Sequence, residues 1–275
     1  MRSLLVAGRL RLVDVVGHGS SGTVWRAWDA LTRRYAAAKA VAAEHGSLSL
    51  TLDHPHLLTP YTTVRQDATC YALMRLVRGG TADRLLADHG ALSASYVAVL
   101  LDQLLDALVV VHAAGFAHRD VKPANLLLEP TGTGRPRLYV ADLGVAARLG
   151  RRPATSAGTD GYVAPGVRLG TPPDPRHDLY AAGVTAAELL TGRVPHGPRA
   201  LPPGPLRPLL RDLLDPDPGG RPATAAAARD RLRSIGIPAG APWRASRRPP
   251  DVPDRLPRLP LLELLRTTGR GGPRD

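Results

Sequence analysis

The sequence predicts an α+β chain in which a small antiparallel β portion comes first and a larger helical portion follows. Short apolar and alternating runs fill the first forty residues around a glycine cluster, which reads as strands joined by turns. From Ala94 to Ala113 the apolar residues recur at helical spacing instead. With 44% hydrophobic residues in 275 positions, the chain can build one large two-lobed domain or two ordinary ones.

Leu10 to Val16 is apolar-rich, Thr23 to Trp28 alternates, and Tyr35 to Val41 forms a third short run, together an expected antiparallel meander. The long helix has Val97, Leu100, Leu101, Leu104, Leu105, Leu108 and Val111 on its buried face, with Ser93 or Ser95 as N-cap. Leu126 to Leu128 and Leu138 to Ala141 are expected strands separated by a turn sequence rich in glycine and threonine. Asp178 to Leu190 and Thr224 to Ser234 are expected helices, closed by Gly192 and Gly236. Beyond Ile237 the chain is rich in proline and arginine with little periodicity, and a flexible tail is expected there.

A single cysteine, Cys70, cannot form an internal disulfide, and no Cys/His cluster has metal-ligand spacing, so a reducing compartment and no zinc site are expected. The first residues hold four apolar positions in a row, too few for a signal-peptide core, and no run approaches the ~20 residues that span a bilayer. A cytoplasmic protein without a membrane span is the expectation. The net charge of +12 comes from dispersed arginines without interleaved aromatics, which argues against nucleic-acid binding. Of 36 basic residues only Lys39 and Lys122 are lysine, and Asn125 is the sole asparagine. In a chain where arginine has taken nearly every basic position, those three mark chemistry that resisted replacement.

The glycine cluster Gly17-His18-Gly19-Ser20-Ser21-Gly22 admits several readings. A P-loop would place lysine after Gly22, where Thr23 stands, and a dinucleotide fingerprint would open a helix, whereas Thr23 to Trp28 alternates like a strand. A loop between two strands remains, either an ordinary hairpin turn or a phosphate cover. Lys39 lies in a strand otherwise made of small apolar residues. His118-Arg119-Asp120-Val121-Lys122-Pro123-Ala124-Asn125 follows the long helix, and Asp142-Leu143-Gly144 follows the strand ending at Ala141.

In that order these segments resemble the Hanks-type serine/threonine protein kinases of bacteria, and the resemblance runs from about residue 8 to residue 235. It implies a two-lobed protein-kinase-like fold: N-lobe 1–74, hinge 75–80, C-lobe 81–235, and the tail 236–275. It implies ATP and Mg²⁺ as cofactors, with Gly17, Gly19, Gly22 and Val24 over the nucleotide, Met74 and Leu76 at the hinge, and Lys39 on the α/β-phosphates. By the same resemblance Asp120 accepts the substrate hydroxyl proton, Lys122 neutralises the transferring phosphoryl group, and Asn125 and Asp142 hold metal. Gly158-Thr159 to Ala164-Pro165 resembles the end of an activation segment, with Thr159 bonded to the catalytic loop; Asp178 is either no more than the N-cap of its helix or, by the resemblance, also the anchor of that loop's backbone. Thr155 and Ser156 become candidate autophosphorylation sites whose added charge Arg119 would meet.

Three departures carry expectations of their own. Fifteen positions separate Lys39 from His54, so the regulatory helix must be shortened, and Glu44 is the best candidate for the partner of Lys39. The segment Glu44 to Leu52 would be about two turns and contains Gly46, which disfavours helix by about 1 kcal/mol relative to alanine. Gly166 stands where the family carries a glutamate paired with an arginine matching Arg221, so Arg221 is expected to be partly exposed or to have a substitute acid. Between His196 and Leu209 proline and glycine dominate, and the helix that docks protein substrates is expected to be missing.

The expected function is therefore a protein serine/threonine kinase acting on other proteins and on itself. The shortened region around Glu44 keeps open a pseudokinase scaffold that binds nucleotide or a partner. Arg119, Lys122 and the segment Gly158 to Pro165 argue against a small-molecule phosphotransferase.

Overall fold

The computed structural model describes residues 4–19, 22–42, 52–143, 146–151, 158–167, 171–195, 197–236 and 249–256. Glu44, Gly144, Thr155 and Ser156 lie outside the described residues, as does the expected short helix up to residue 51.

Six strands build the N-terminal lobe: β1 (Leu4–Val6), β2 (Leu10–Gly19), β3 (Gly22–Asp29), β4 (Arg34–Ala42), β5 (Thr62–Gln66) and β6 (Thr69–Arg75). They form one antiparallel sheet in the order β1-β2-β3-β4-β6-β5, so the expected meander is its centre. Strand β4 is mostly alanine, the strongest helix former, yet pairing with β3 on one edge and β6 on the other overrides that preference. Its pleat divides the work. Ala36 and Ala38 join Leu10, Leu12, Ala27 and Leu73 in the lobe's own core, while Ala37 and Lys39 line the opposite side, a cleft below the sheet.

The segment after residue 52 ties the lobes together. His56 O accepts from Val140 N–H at 2.8 Å and Leu58 N–H donates to Val140 O at 2.9 Å, so this stretch runs beside β9 (Leu138–Val140) of the second lobe. The His56 Nδ1 is 2.8 Å from Leu138 O.

The second lobe contains α1 (Ala82–His89), α2 (Ala94–Ala113), α3 (Pro175–Thr191), α4 (Arg207–Leu213) and α5 (Ala225–Ser234). Short pairs β7 (Phe116–Ala117) with β10 (Ala147–Arg148), and β8 (Leu126–Leu128) with β9, lie at its upper face. Helix α2 is its axis: all seven apolar residues named from the periodicity are buried, and the Ser93 side chain accepts from Tyr96 N–H at 3.3 Å. It is the one helix among the described residues long and apolar enough to cross a membrane, and it lies mostly inside the lobe, against α3, α5 and β9.

Helix α3 begins earlier than expected. Asp174 is its N-cap and Pro175 its first residue, because Asp174 accepts from Arg176 N–H at 2.8 Å. Asp178 is thereby freed from capping and sits one turn inside, aimed at the loop after β7. Gly192 closes the helix in the left-handed conformation, φ 76°.

Arg221 corrects a second expectation. It is buried, 4% exposed, and among the described residues no acid replaces the one missing at Gly166; three backbone carbonyls do. Its Nε reaches Asp215 O at 2.8 Å, Nη1 reaches Arg176 O at 3.0 Å and Nη2 reaches Pro216 O at 3.2 Å, while the guanidinium lies over the Tyr180 ring, 5.0 Å from its centroid. The planar fork matches three acceptors, two on the turn between α4 and α5 and one, Arg176 O, in the first turn of α3. The region 197–209 holds a 3₁₀ turn at Pro198–Ala200 and then the start of α4, with no longer helix among its described residues.

Residues 249–256, expected as part of a flexible tail, are packed against the body. Val252 is 1% exposed and pairs with Gly132 in both backbone directions. Full burial of a valine side chain stabilises by about 1.5–3 kcal/mol, enough to hold a strand-like stretch that has no helical or alternating pattern.

Candidate active site

Between the lobes lies a cleft of about 1080 Å³. Its roof is the β2–β3 hairpin and the inner face of β4, its back is β6 and the linker to α1, and its floor is the loop from Asp120 to Asn125 with Leu127 and Asp142. Gly17, Gly19, Gly22, Val24, Lys39, Met74, Leu76, Asp120, Lys122, Asn125 and Asp142 all line it, so every sequence-predicted site residue that is among the described residues is brought to one cavity.

The three glycines of the roof are there for different reasons. A Cβ on Gly22 would stand 2.5 Å from Ala40 O, and its φ of 125° already excludes ordinary side chains, so the hairpin itself demands glycine. A Cβ on Gly17 would meet only Val24, at 3.8 Å, and one on Gly19 would meet nothing within 4 Å. Packing among the described residues thus does not require glycine at these two positions, whereas close approach of a ligand to the backbone would.

The floor is organised by Asp178. This carboxylate, 1% exposed, accepts from His118 N–H and Arg119 N–H at 2.8 Å each and lies 2.8 Å from His112 Nε2. Burial pushes its pKa up, but these hydrogen bonds and the nearby imidazoles outweigh it and hold the carboxyl below its ordinary value. Pinned in this way, the loop takes a conformation it would otherwise avoid: Arg119 has φ 71°, a left-handed value that disfavours a long side chain. His118 finishes the clamp, with Nε2 3.0 Å from Ala141 O and Nδ1 accepting from Asp120 N–H at 3.3 Å.

Asp120 is surrounded by donors. Thr159 Oγ1 donates to its Oδ1 at 2.7 Å, while Lys122 Nζ and Asn125 Nδ2 each reach its Oδ2 at 2.9 Å. Burial raises its pKa, yet the bonds from Lys122, Thr159 and Asn125 prevail and keep it below the ordinary carboxylate value. Lys122 Nζ also donates to Thr159 Oγ1 at 2.6 Å, closing a triangle of acid, base and hydroxyl. Thr159 follows Gly158, whose φ of 115° turns the chain back onto the loop.

Above the floor, Lys39 Nζ is 2.6 Å from Asp142 Oδ1, the two side chains 15% and 18% exposed. Asp142 too has a left-handed φ, 65°, which an aspartate tolerates better than most residues. The donor set suits Mg²⁺ with a polyphosphate: Asp142 offers a carboxylate, and Asn125, with Nδ2 committed to Asp120, offers its amide oxygen. Among the described residues no group of three His, Cys, Asp or Glu could enclose a metal, and a hard cation that keeps water and phosphate ligands does not require one.

Sequence reasoning missed Ala37, Leu58, Ala72 and Leu127, apolar or small side chains that shape the cleft. Ala37 could have been found, since period-two alternation puts it on the face of Lys39. Arg255 and Leu256 also line the cleft and carried no signal at all.

Residues 10–200 match the family described as the protein kinase domain. The chain belongs to the protein kinase family. Its curated relatives among the kinases include the serine/threonine-protein kinase PknA of Mycobacterium tuberculosis, 32% identical over 89% of this chain and 63% of that protein. The serine/threonine-protein kinase PkaA of Streptomyces coelicolor is 32% identical over 82% of this chain and 49% of its own length. PknJ, a serine/threonine-protein kinase of Mycobacterium tuberculosis, is 33% identical over 67% of this chain and 34% of its own length. The chain thus spans less than two thirds of the length of these kinases.

Proposed function

We propose that the protein is a serine/threonine kinase that transfers the γ-phosphoryl group of ATP to hydroxyls of proteins, itself included. The observation that carries this reading is the placement of the Asp120 carboxylate, held by Lys122, Thr159 and Asn125 in the same cleft as Asp142 and Lys39. The kinase relatives support it.

Mg²⁺-bound ATP would supply the phosphoryl group and the positive charge that offsets its phosphates. Lys39 would meet the α/β-phosphates, and Asp142 with the Asn125 oxygen would hold the cation. Asp120 orients the incoming serine or threonine hydroxyl and takes its proton as that oxygen bonds to the γ-phosphorus and the β–γ bridging oxygen departs. Lys122, bonded to Asp120 when no phosphoryl group is near, turns to offset the charge on the transferring group. Ala37 and Leu127 bound an apolar slot for the base, and Met74 and Leu76 bring it against the linker.

The same reading makes Thr155 and Ser156 phosphorylation sites served by Arg119, and places the end of the kinase unit near residue 235. Cys70, a buried free thiol, supports a cytoplasmic setting. Incubation of the full chain with Mg-ATP and a basic protein tests the proposal. Phosphate should appear on serine or threonine, and Asp120→Asn should reduce it by about 10²–10⁴-fold. Undiminished transfer by that variant overturns the assignment, and nucleotide binding without transfer would favour a scaffold.

A further inference from the structure

The stretch 249–256 has no part in the transfer chemistry, yet it is fastened across the linker that forms the back of the cleft. Gly132 N–H donates to Val252 O at 3.0 Å and Val252 N–H donates to Gly132 O at 2.9 Å. Three residues on, Arg255 N–H donates to Arg78 O at 2.9 Å, its Nε donates to Gly79 O at 3.0 Å, and its guanidinium pairs with Asp88 of α1. Arg78 replies by pairing with Asp254 at 2.7 Å and donating to Leu256 O at 3.2 Å.

Both linker glycines touch this stretch, although the backbone of β8 crowds Gly79 as well, with Leu128 O nearest to where its Cβ would stand. A Cβ on Gly79 would stand 2.7 Å from Val252 Cγ1, and the three atoms nearest a Cβ on Gly80 all belong to Arg255, the first at 2.7 Å. Arg255 and Leu256 then line the cleft next to Arg75, Leu76, Val77 and Arg78. Two facts separate a wall from a plug. The guanidinium of Arg255 is committed to Asp88 and Gly79 O, outside the group formed by Lys39, Asp142 and Asp120. With the stretch in place the cleft still measures about 1080 Å³, slightly above the ~300–1,000 Å³ that small-molecule sites occupy.

We propose that residues 251–256 are a strap that completes the nucleotide site, Leu256 forming an apolar wall against the base or ribose and Asp254 and Arg255 positioning it. The inference rests on the ATP reading given above. It makes the C-terminal stretch a determinant of nucleotide affinity, and because coupling is reciprocal, bound nucleotide should tighten the strap by the factor the strap tightens nucleotide.

The test uses the full chain with Mg²⁺ and a non-hydrolysable ATP analogue, then adenosine, then tripolyphosphate, followed by calorimetry. Leu256→Ala should weaken the analogue and adenosine about 3–10-fold and leave tripolyphosphate unchanged, since each 1.4 kcal/mol is about tenfold in affinity. The double variant Asp88→Ala, Asp254→Ala removes both ion-pair anchors without touching the cleft lining and should weaken the same two ligands. In the parent chain the analogue should slow amide exchange at Val252 and Arg255. Unchanged affinities in both variants, with the parent binding normally, overturn the strap alone. Tighter binding in either variant also overturns it, because a plug behaves so. No binding of the analogue by the parent chain overturns the ATP reading and the strap with it.

Discussion

Lys39 Nζ and Asp142 Oδ1 stand 2.6 Å apart although 103 residues separate them in the chain, and this pair joins the central strand of the upper lobe to the floor of the cleft. The Asp142 backbone sits at φ 65°, a region in which asparagine and aspartate are tolerated and alanine is not. Asp142→Asn therefore removes the charge and keeps the backbone. Phosphoryl transfer should fall on the order of 10²–10³-fold, the scale of one lost electrostatic stabiliser, with the thermal midpoint close to the parent's. Asp142→Ala should be equally inactive and also less stable by about 1–2 kcal/mol. Equal stability of the two variants in urea titrations would show that the backbone there is unstrained.

Which parts of this architecture could be read in advance follows from the kind of information each needs. Helix α2 declares itself through seven apolar residues at one spacing, and the floor through a contiguous motif, so Asp120, Lys122 and Asn125 are legible in the sequence. Strands β5 and β6 and helix α1 are not, because their apolar residues are few. The docking of Val252 on Gly132 joins residues 120 apart through backbone atoms, which leave no mark on residue type. Arg221 was misjudged because its usual partner is a side chain and its actual partners are carbonyls, identical in every sequence.

Thr159 gives a prediction about the floor. Its hydroxyl donates to Asp120 at 2.7 Å and accepts from Lys122 at 2.6 Å, so it sets both groups at once. Thr159→Val keeps the shape and removes both bonds. A hydrogen bond to a charged group is worth about 1.5–3 kcal/mol, so turnover should drop roughly 10–100-fold while nucleotide affinity holds. Thr159→Ser, which restores the hydroxyl, should recover most of the loss. A valine variant with full turnover would remove Thr159 from the positioning of Asp120.

Arg221 and Gly166 give a second. Three carbonyls consume the guanidinium, and an ammonium cannot span them, so Arg221→Lys should destabilise by about 1–3 kcal/mol for each carbonyl left without a donor. Restoring an acid by Gly166→Glu should not help. Gly166 has φ 82°, where a side chain costs about 1–2 kcal/mol, and Arg221 has no nitrogen left without a bond. Urea unfolding of the two variants checks both, and a stabilised Gly166→Glu chain would refute the carbonyl cage.

Asp29 carries the pH prediction. Its side chain is fully buried, and both oxygens are used: Oδ1 by Arg9 Nε at 2.8 Å and Leu31 N–H at 3.0 Å, Oδ2 by Arg9 Nη2 at 2.8 Å and Thr32 Oγ1 at 3.1 Å. The Arg9 hydrogen bonds are the largest influence and, with those from Leu31 and Thr32, overcome burial to bring the pKa from 3.8 to about 2. A carboxyl whose folded pKa is depressed stabilises the fold above its unfolded pKa and ceases to do so as pH falls through the folded value. Near two pH units of depression correspond to on the order of 2 kcal/mol, with Arg9 partly exposed at 24%. Asp29→Asn should therefore be less stable than the parent by on the order of 2 kcal/mol at pH 7, unchanged down to about pH 5. The gap should narrow from about pH 4, be mostly gone at about pH 2 where the parent's carboxyl is half protonated, and close below it. Taking the difference between the two proteins at each pH cancels the titration of every other carboxylate, so a gap that stays constant from pH 5 to pH 2 would mean that the Arg9 pairing does not govern Asp29.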